Sequence, residues 1–131
     1  MTAGAGGIVL LVEDDESLRL IVVRHLRAQG YRVAEAGSAE AAVESLDDGL
    51  RPDVVILDLN LPGDTGWDLL RGPALDAAGR PPVIITSATT VSPKWLDEFG
   101  CAGYLPKPFP LETLVATIER VTHPEETQQQ P

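Results

Sequence analysis

Three apolar runs constrain this chain more than any other feature. "IVLLV" (8-12), "VVIL" (54-57) and the first three residues of "VIIT" (83-86) contain no polar side chain. A strand with one wet face alternates polar and apolar residues, whereas a run that is apolar throughout and rich in β-branched residues is covered on both faces. Helical spacing fills the intervals. Leu18, Ile21, Val22, His25 and Leu26 recur with a helical period until Gly30 stops them. "YRVAEA" (31-36) alternates as a second strand, and Ser38 is placed to cap an alanine-rich helix that ends at Gly49. "GYLP" (103-106) reads as a short fifth strand, and Leu111, Leu114, Val115 and Ile118 line one face of a last helix. Five strands alternating with five helical segments predict parallel crossovers and a three-layer α/β sandwich. At 131 residues and 44% hydrophobic, the chain suits one domain with a packed core.

In an open parallel sheet, function gathers just beyond the carboxyl ends of the strands, where strand order reverses. Four clusters fall there. Glu13 to Glu16 follow the first strand, Asp58 the third, Thr86-Ser87-Ala88 the fourth, and Lys107-Pro108-Phe109 the fifth. An acidic loop alone is ordinary solvated surface, and a lone strand-terminal Asp is usually a turn or cap. All four clusters together at one sheet edge are a site. Glu13, Asp14 and Asp58 would repel one another there and raise each other's pKa values. A hard divalent cation, Mg²⁺ or Mn²⁺, relieves this and commonly adds phosphate oxygens to its shell. Lys107 adds a compact positive charge and Ser87 a hydroxyl donor. The set suits an incoming phosphoryl group, with a carboxylate as nucleophile.

The motifs that carry these residues resemble those of the receiver domains of bacterial two-component response regulators. "LLVEDDESLR" is similar to that family's acidic motif, "ILDLNLPGDTG" to its phosphoacceptor motif and "YLPKPF" to its lysine motif; the resemblance spans residues 8-121. It implies a flavodoxin-like fold with a five-stranded sheet in the order 2-1-3-4-5. It implies that Asp58 takes phosphate from a histidine kinase or a histidine phosphotransfer protein. Asp14 and Asp58 would bind Mg²⁺ directly, Glu13 directly or through water, and Asn60 through its backbone carbonyl. Ser87 corresponds to the hydroxyl that turns toward the phosphate, Ala88 to the small residue that leaves the site open, Lys107 to the lysine that pairs with the phosphate, and Tyr104 to an aromatic switch. The Lys107-Pro108 bond is cis in relatives. Asn60 and Thr89 take the positions that tune phosphate lifetime, and neither is a strong base. The readout to a downstream protein target would lie on the face formed by the fourth helical segment, the fifth strand and the last helix.

The third and fourth helical segments depart from that pattern. Gly72-Pro73 interrupts "WDLLRGPALDAAG", which predicts a short helix from Trp67 to about Arg71 and then a looser turn. Between Ser87 and Lys107 the chain is short, and Pro93 leaves only Lys94 to Phe99 for a helix. That puts homodimerisation through this face in question. Trp95 and Phe99, at i and i+4, either both cover the sheet or leave one exposed as a partner anchor. Trp67 reads as packing, His25 as a packed or surface residue, His123 as inert and Cys101 as core.

A net charge of -10 with no basic face argues against direct binding of nucleic acid or an anionic membrane. No apolar run approaches the length of a membrane span, and the single cysteine fits a reducing, cytoplasmic setting. Residues 1-7 read as a flexible leader and 122-131 as a polar tail or linker start, which fits a stand-alone receiver and permits, as the alternative, one within a hybrid kinase or longer regulator. Rival chemistries fit less well. An aspartyl-phosphate phosphatase of the haloacid dehalogenase type wants an acidic residue where Asn60 stands. A flavin module wants a phosphate cradle where Glu13 to Glu16 would repel it. The chain is expected to catalyse its own phosphotransfer without being a turnover enzyme.

Overall fold

The computed structural model describes residues 7–61, 63 and 66–123. The strands are β1 (Ile8–Val12), β2 (Arg32–Ala36), β3 (Val54–Asp58), β4 (Val83–Ser87) and β5 (Gly103–Pro106), and every pairing is parallel. Their order is β2-β1-β3-β4-β5, as the resemblance implies. The helices are α1 (Glu16–Ala28), α2 (Ala39–Asp47), α3 (Gly66–Arg71), α4 (Pro73–Ala77), α5 (Pro93–Glu98) and α6 (Leu111–Thr122).

The apolar runs divide by the two-residue period of a strand. Val9, Leu11, Val54, Ile56 and Ile84 point to one face and meet Val22, Val23 and Leu26 of α1 and Leu114 and Ile118 of α6. Leu10, Val12, Val55, Leu57, Val83 and Ile85 point to the other and meet Ala39, Ala42 and Leu46 of α2, Leu69 and Leu70 of α3, and Leu75 of α4. Both faces are therefore covered, which is why these runs carry no polar residue. The local signals act where the sequence puts them. Ser38 accepts from the Ala41 amide at 3.1 Å to cap α2, and Gly30 and Gly49 close α1 and α2 with φ of 99° and 106°. Asp15 caps α1 by accepting from the Leu18 amide at 3.0 Å.

The third helical segment corrects one expectation. The chain does not loosen after Arg71 but starts a second short helix, α4, with Pro73 in its first turn. Gly72 takes the extended conformation that a following proline favours (φ -77°, ψ 169°), so it ends α3 and caps α4. Burial of Leu75 and Ala74 supplies the stabilisation that the apolar count in this stretch hid. Among the described residues the helices number six as a result.

α5 is as short as expected and buries none of its residues completely. Phe99, just beyond it, packs half-buried against the larger core, while Trp95 is 49% exposed. Trp95 stacks on Phe99 at 5.8 Å between ring centroids, and Trp67 of α3 closes the group at 5.7 Å from Trp95 and 4.7 Å from Phe99. So Trp67 packs, and one member of the i, i+4 pair is exposed. Trp95→Ala should lower stability by about 1 kcal/mol and speed amide exchange in α5 several-fold while leaving the sheet protected. Unchanged exchange in α5 would show that the rings do not hold it, and unchanged partner binding would exclude Trp95 as an anchor.

Cys101 is half-buried against the larger core, and burial pushes its thiol pKa up, with Arg80 opposing in part. A raised pKa disfavours the reactive thiolate, in line with a packing role. His25 is also half-buried. Residues 1-6 of the expected leader (1-7), residues 124-131 of the expected tail (122-131) and the turn residues Pro62, Asp64 and Thr65 lie outside the described residues, while Thr122 ends α6; Gly63 has a φ of 70°. Among the described residues no helix is long and apolar enough to cross a membrane.

Candidate phosphoryl-binding site

Strand register brings the clusters together. Val12 pairs with Leu57, Asp58 with Thr86, and Ser87 with Pro106, so Glu13, Asp58, Ser87 and Lys107 emerge at one sheet edge. Backbone bonds carry the ladder past the strand ends: Glu13 N–H donates to the Ala36 carbonyl at 2.9 Å, Leu59 N–H to Thr86 at 3.0 Å and Lys107 N–H to Ser87 at 2.8 Å. These residues therefore sit on the rigid frame rather than on free loops.

Lys107 Nζ lies 2.7 Å from Glu13 Oε1 and 3.1 Å from Asp58 Oδ2. The other Glu13 oxygen accepts from the Asp15 amide at 3.1 Å, and the other Asp58 oxygen from the Asn60 amide at 2.9 Å. Glu13 is 3% exposed and Asp58 1%, whereas Asp14 is exposed. Burial raises the Glu13 pKa; Lys107 and the Asp15 amide pull it back in part, and the Asp58 charge adds to the rise. Burial alone would lower the Lys107 pKa, but its bonds to Glu13 and Asp58 outweigh this and raise it, so the ammonium stays charged.

One carboxylate oxygen from each of Glu13, Asp14 and Asp58 falls within 4.8 Å of the others. Three hard oxygen donors on two buried residues and one exposed residue fit a divalent cation that keeps part of its water shell. The arrangement thus offers a seat for a cation, a lysine charge and a buried carboxylate.

Ser87, fully buried, accepts from the Thr89 amide at 3.0 Å, lies 2.9 Å from Thr89 Oγ1 and donates to Asn60 Oδ1 at 2.9 Å. Ala88 N–H donates to the same Asn60 oxygen at 3.2 Å. Tyr104, half-buried against the larger core, donates its hydroxyl to the Thr89 carbonyl at 3.3 Å. The Lys107-Pro108 peptide is cis.

Sequence reasoning missed three contributors. Arg19 donates to the Glu13 carbonyl at 2.7 Å and pairs with Glu35 at 3.4 Å, fastening α1 and β2 to the acidic loop. Its position one turn after the Asp15 cap was the available signal. The Asn60 side chain bridges to Ser87 and Ala88, where only its backbone had been considered. Gly66 opens α3 so close to β3 that a Cβ there would lie 2.8 Å from the Asp58 carbonyl.

Residues 9–119 match the profile of the response regulator receiver domain. The DNA-binding response regulator MtrA of Mycobacterium tuberculosis is 39% identical over 111 residues, covering 84% of this chain and 48% of that protein. The transcriptional regulatory protein CpxR of Escherichia coli is 36% identical over 118 residues, covering 86% of this chain and 48% of its own. The chain thus spans about half the length of these curated relatives. Among solved structures, the chemotaxis protein CheY4 of Vibrio cholerae superposes with a TM-score of 0.80 at 32% identity, over 89% of this chain and 99% of that one. The receiver domain of the hybrid histidine kinase CckA gives 0.76 at 32% identity, over 88% and 99%. With the profile covering nearly the whole described chain and the sheet order shared, this chain belongs to the response regulator receiver domain family.

Proposed function

We propose that Asp58 accepts a phosphoryl group from the phosphohistidine of a histidine kinase or histidine phosphotransfer protein, and that the acyl phosphate switches binding of a downstream protein. The observation that carries this is a buried Asp58 carboxylate whose oxygens face the Lys107 ammonium and the Asn60 amide, beside Glu13 and Asp14. One Asp58 oxygen forms the bond to phosphorus as the phosphorus–nitrogen bond of the donor breaks, and the electron pair returns to the imidazole. Mg²⁺ or Mn²⁺, held by Asp14, Asp58, Glu13 and the Asn60 carbonyl, would supply positive charge to the phosphoryl oxygens. Lys107 would move from Asp58 to the phosphoryl oxygens, and Ser87 would donate to one of them. Thr89 and Tyr104 would follow Ser87 through their hydrogen bonds, which gives the switch a route to Tyr104 of β5.

The chain works as a substrate of the kinase that catalyses its own phosphotransfer, not as a turnover enzyme, and it does so in the cytoplasm. The same chemistry would serve a relay carrier within a hybrid histidine kinase, the kind of protein from which the similar CckA receiver domain comes. A phosphatase reading is disfavoured because the Asn60 side chain carries no exchangeable acid. The chain's net charge of -10 disfavours direct binding of nucleic acid by these residues.

The test is incorporation of label from a small phosphodonor and from a panel of phosphorylated histidine kinases. Label should require Mg²⁺ or Mn²⁺, vanish with chelator and be released by hydroxylamine, as an acyl phosphate is. No label from any donor would overturn the proposal.

The lysine makes a separate prediction. Lys107 holds both buried carboxylates, so Lys107→Ala removes a charge that repels the divalent cation. Without Mg²⁺ the variant should fold but melt below wild type, because Glu13 and Asp58 are left buried with no counter-charge. It should bind Mg²⁺ roughly tenfold tighter, read as a larger rise in melting temperature on adding Mg²⁺, yet fail to pass phosphorylation on to partner binding. A smaller Mg²⁺ response than wild type would contradict the assigned arrangement.

A further inference from the structure

We propose that the Asn60 side chain is a latch: in the unphosphorylated protein its carboxamide oxygen occupies the Ser87 hydroxyl and the Ala88 amide, donors at the end of β4 on the same sheet edge as Asp58. The proposal rests on Asp58 being the phosphoacceptor.

The hydrogen-bond inventory is what makes the latch specific. A backbone N–H can only donate, so the Asn60 atom facing Ala88 at 3.2 Å is the oxygen. Ser87 has one proton and two lone pairs. The Thr89 amide, at 3.0 Å, takes one lone pair, and the Thr89 hydroxyl, at 2.9 Å, can donate to the other. The remaining proton goes to Asn60 Oδ1 at 2.9 Å. With Asn60 in place, Ser87 is saturated and has nothing to offer a new acceptor.

Burial sets which partner moves. Ser87 is 0% exposed, so its proton needs an acceptor at all times. Asn60 is exposed, so its carboxamide can turn into water with its hydrogen bonds replaced there. A phosphoryl oxygen on Asp58 is an anionic acceptor and outcompetes a neutral amide for both donors. Phosphorylation would thus exchange one acceptor for another instead of creating an unpaired group. The latch is anchored at its root as well, because the Asn60 amide donates to Asp58 Oδ1 at 2.9 Å. Its far side reaches the aromatic switch: the Thr89 backbone bonded to Ser87 also accepts the Tyr104 hydroxyl. Asn60 therefore biases the position of the whole Ser87–Thr89–Tyr104 chain before any phosphate arrives.

Asn60→Ala removes the acceptor and keeps the backbone carbonyl. In the free protein, exchange of the Ala88 amide with solvent, followed by NMR, should quicken about fivefold. Beryllofluoride with Mg²⁺, a phosphoryl mimic, should bind about fivefold tighter, because the latched population no longer competes. Asn60→Asp, which restores an acceptor oxygen, should return Ala88 protection to at least the wild-type level. Unchanged Ala88 exchange in Asn60→Ala overturns the latch, as does unchanged or weaker beryllofluoride binding in that variant. Wild-type protein that does not bind beryllofluoride at all overturns the phosphoacceptor reading instead, and the exchange measurement then decides the Asn60 contact by itself.

Discussion

Asp58→Asn protein is expected to fold and to take up no phosphoryl label, a loss of at least about two orders of magnitude for removal of a covalent nucleophile. The amide keeps the size of the carboxylate at a position that is 1% exposed, so no cavity opens. Lys107 keeps its 2.7 Å partner in Glu13 and is not left buried without a counter-charge. Removing one of three crowded carboxylates also relieves repulsion, so stability should stay within about 1 kcal/mol of wild type. The change isolates chemistry from folding: far-ultraviolet circular dichroism and melting temperature report the fold, and label from the small phosphodonor reports Asp58. Labelling of the variant at the wild-type rate would move the phosphoacceptor to another residue. Asp14 is the candidate, being exposed and part of the same carboxylate group.

The parts of this architecture that follow a period were legible in the sequence. The strands were readable because burial on both faces forbids polar residues, and the positions of Glu13, Asp58, Ser87 and Lys107 followed from strand ends alone. Side-chain contacts across the edge were not legible in that way. Nothing in the letters around Asn60 says that its amide oxygen reaches over to β4, because that distance depends on how the loop after β3 leaves the sheet. α4 was missed for a related reason. Gly72-Pro73 is both a stop and a start signal, and which one prevails depends on whether Leu75 finds a core to enter. The surfaces are legible least of all. Leu20 and Ile21 of α1 and Trp95 are the large apolar side chains left exposed among the described residues; Ile21 falls in the helical spacing with Leu18 and Val22 yet is 53% exposed, which corrects its place in the buried stripe.

Gly66→Val is expected to have the largest effect on fold and site together. The strand-to-helix connection after Asp58 returns α3 against β3, and a Cβ on residue 66 would lie 2.8 Å from the Asp58 carbonyl and 3.0 Å from both Leu59 Cα and Leu59 Cδ2. Two of these three neighbours are backbone atoms, which cannot rotate away as the end of a side chain can. Either α3 lifts from the sheet, exposing Leu69 and Leu70, or the Asp58–Leu59 segment shifts. Overpacking of this kind lowers stability by about 1–3 kcal/mol, or roughly 4–12 °C in melting temperature for a domain of this size. Because the displaced backbone carries Asp58, labelling should fall about tenfold or more even at temperatures where the variant is fully folded, given how steeply reactivity depends on placement. Gly79→Ala supplies the contrast. Its φ of 92° makes any side chain strained, but open space surrounds it. That variant should lose about 1 kcal/mol of stability and keep wild-type labelling. Equal loss of labelling in the two variants, measured where both are folded, would show that the Gly66 contact does not position Asp58.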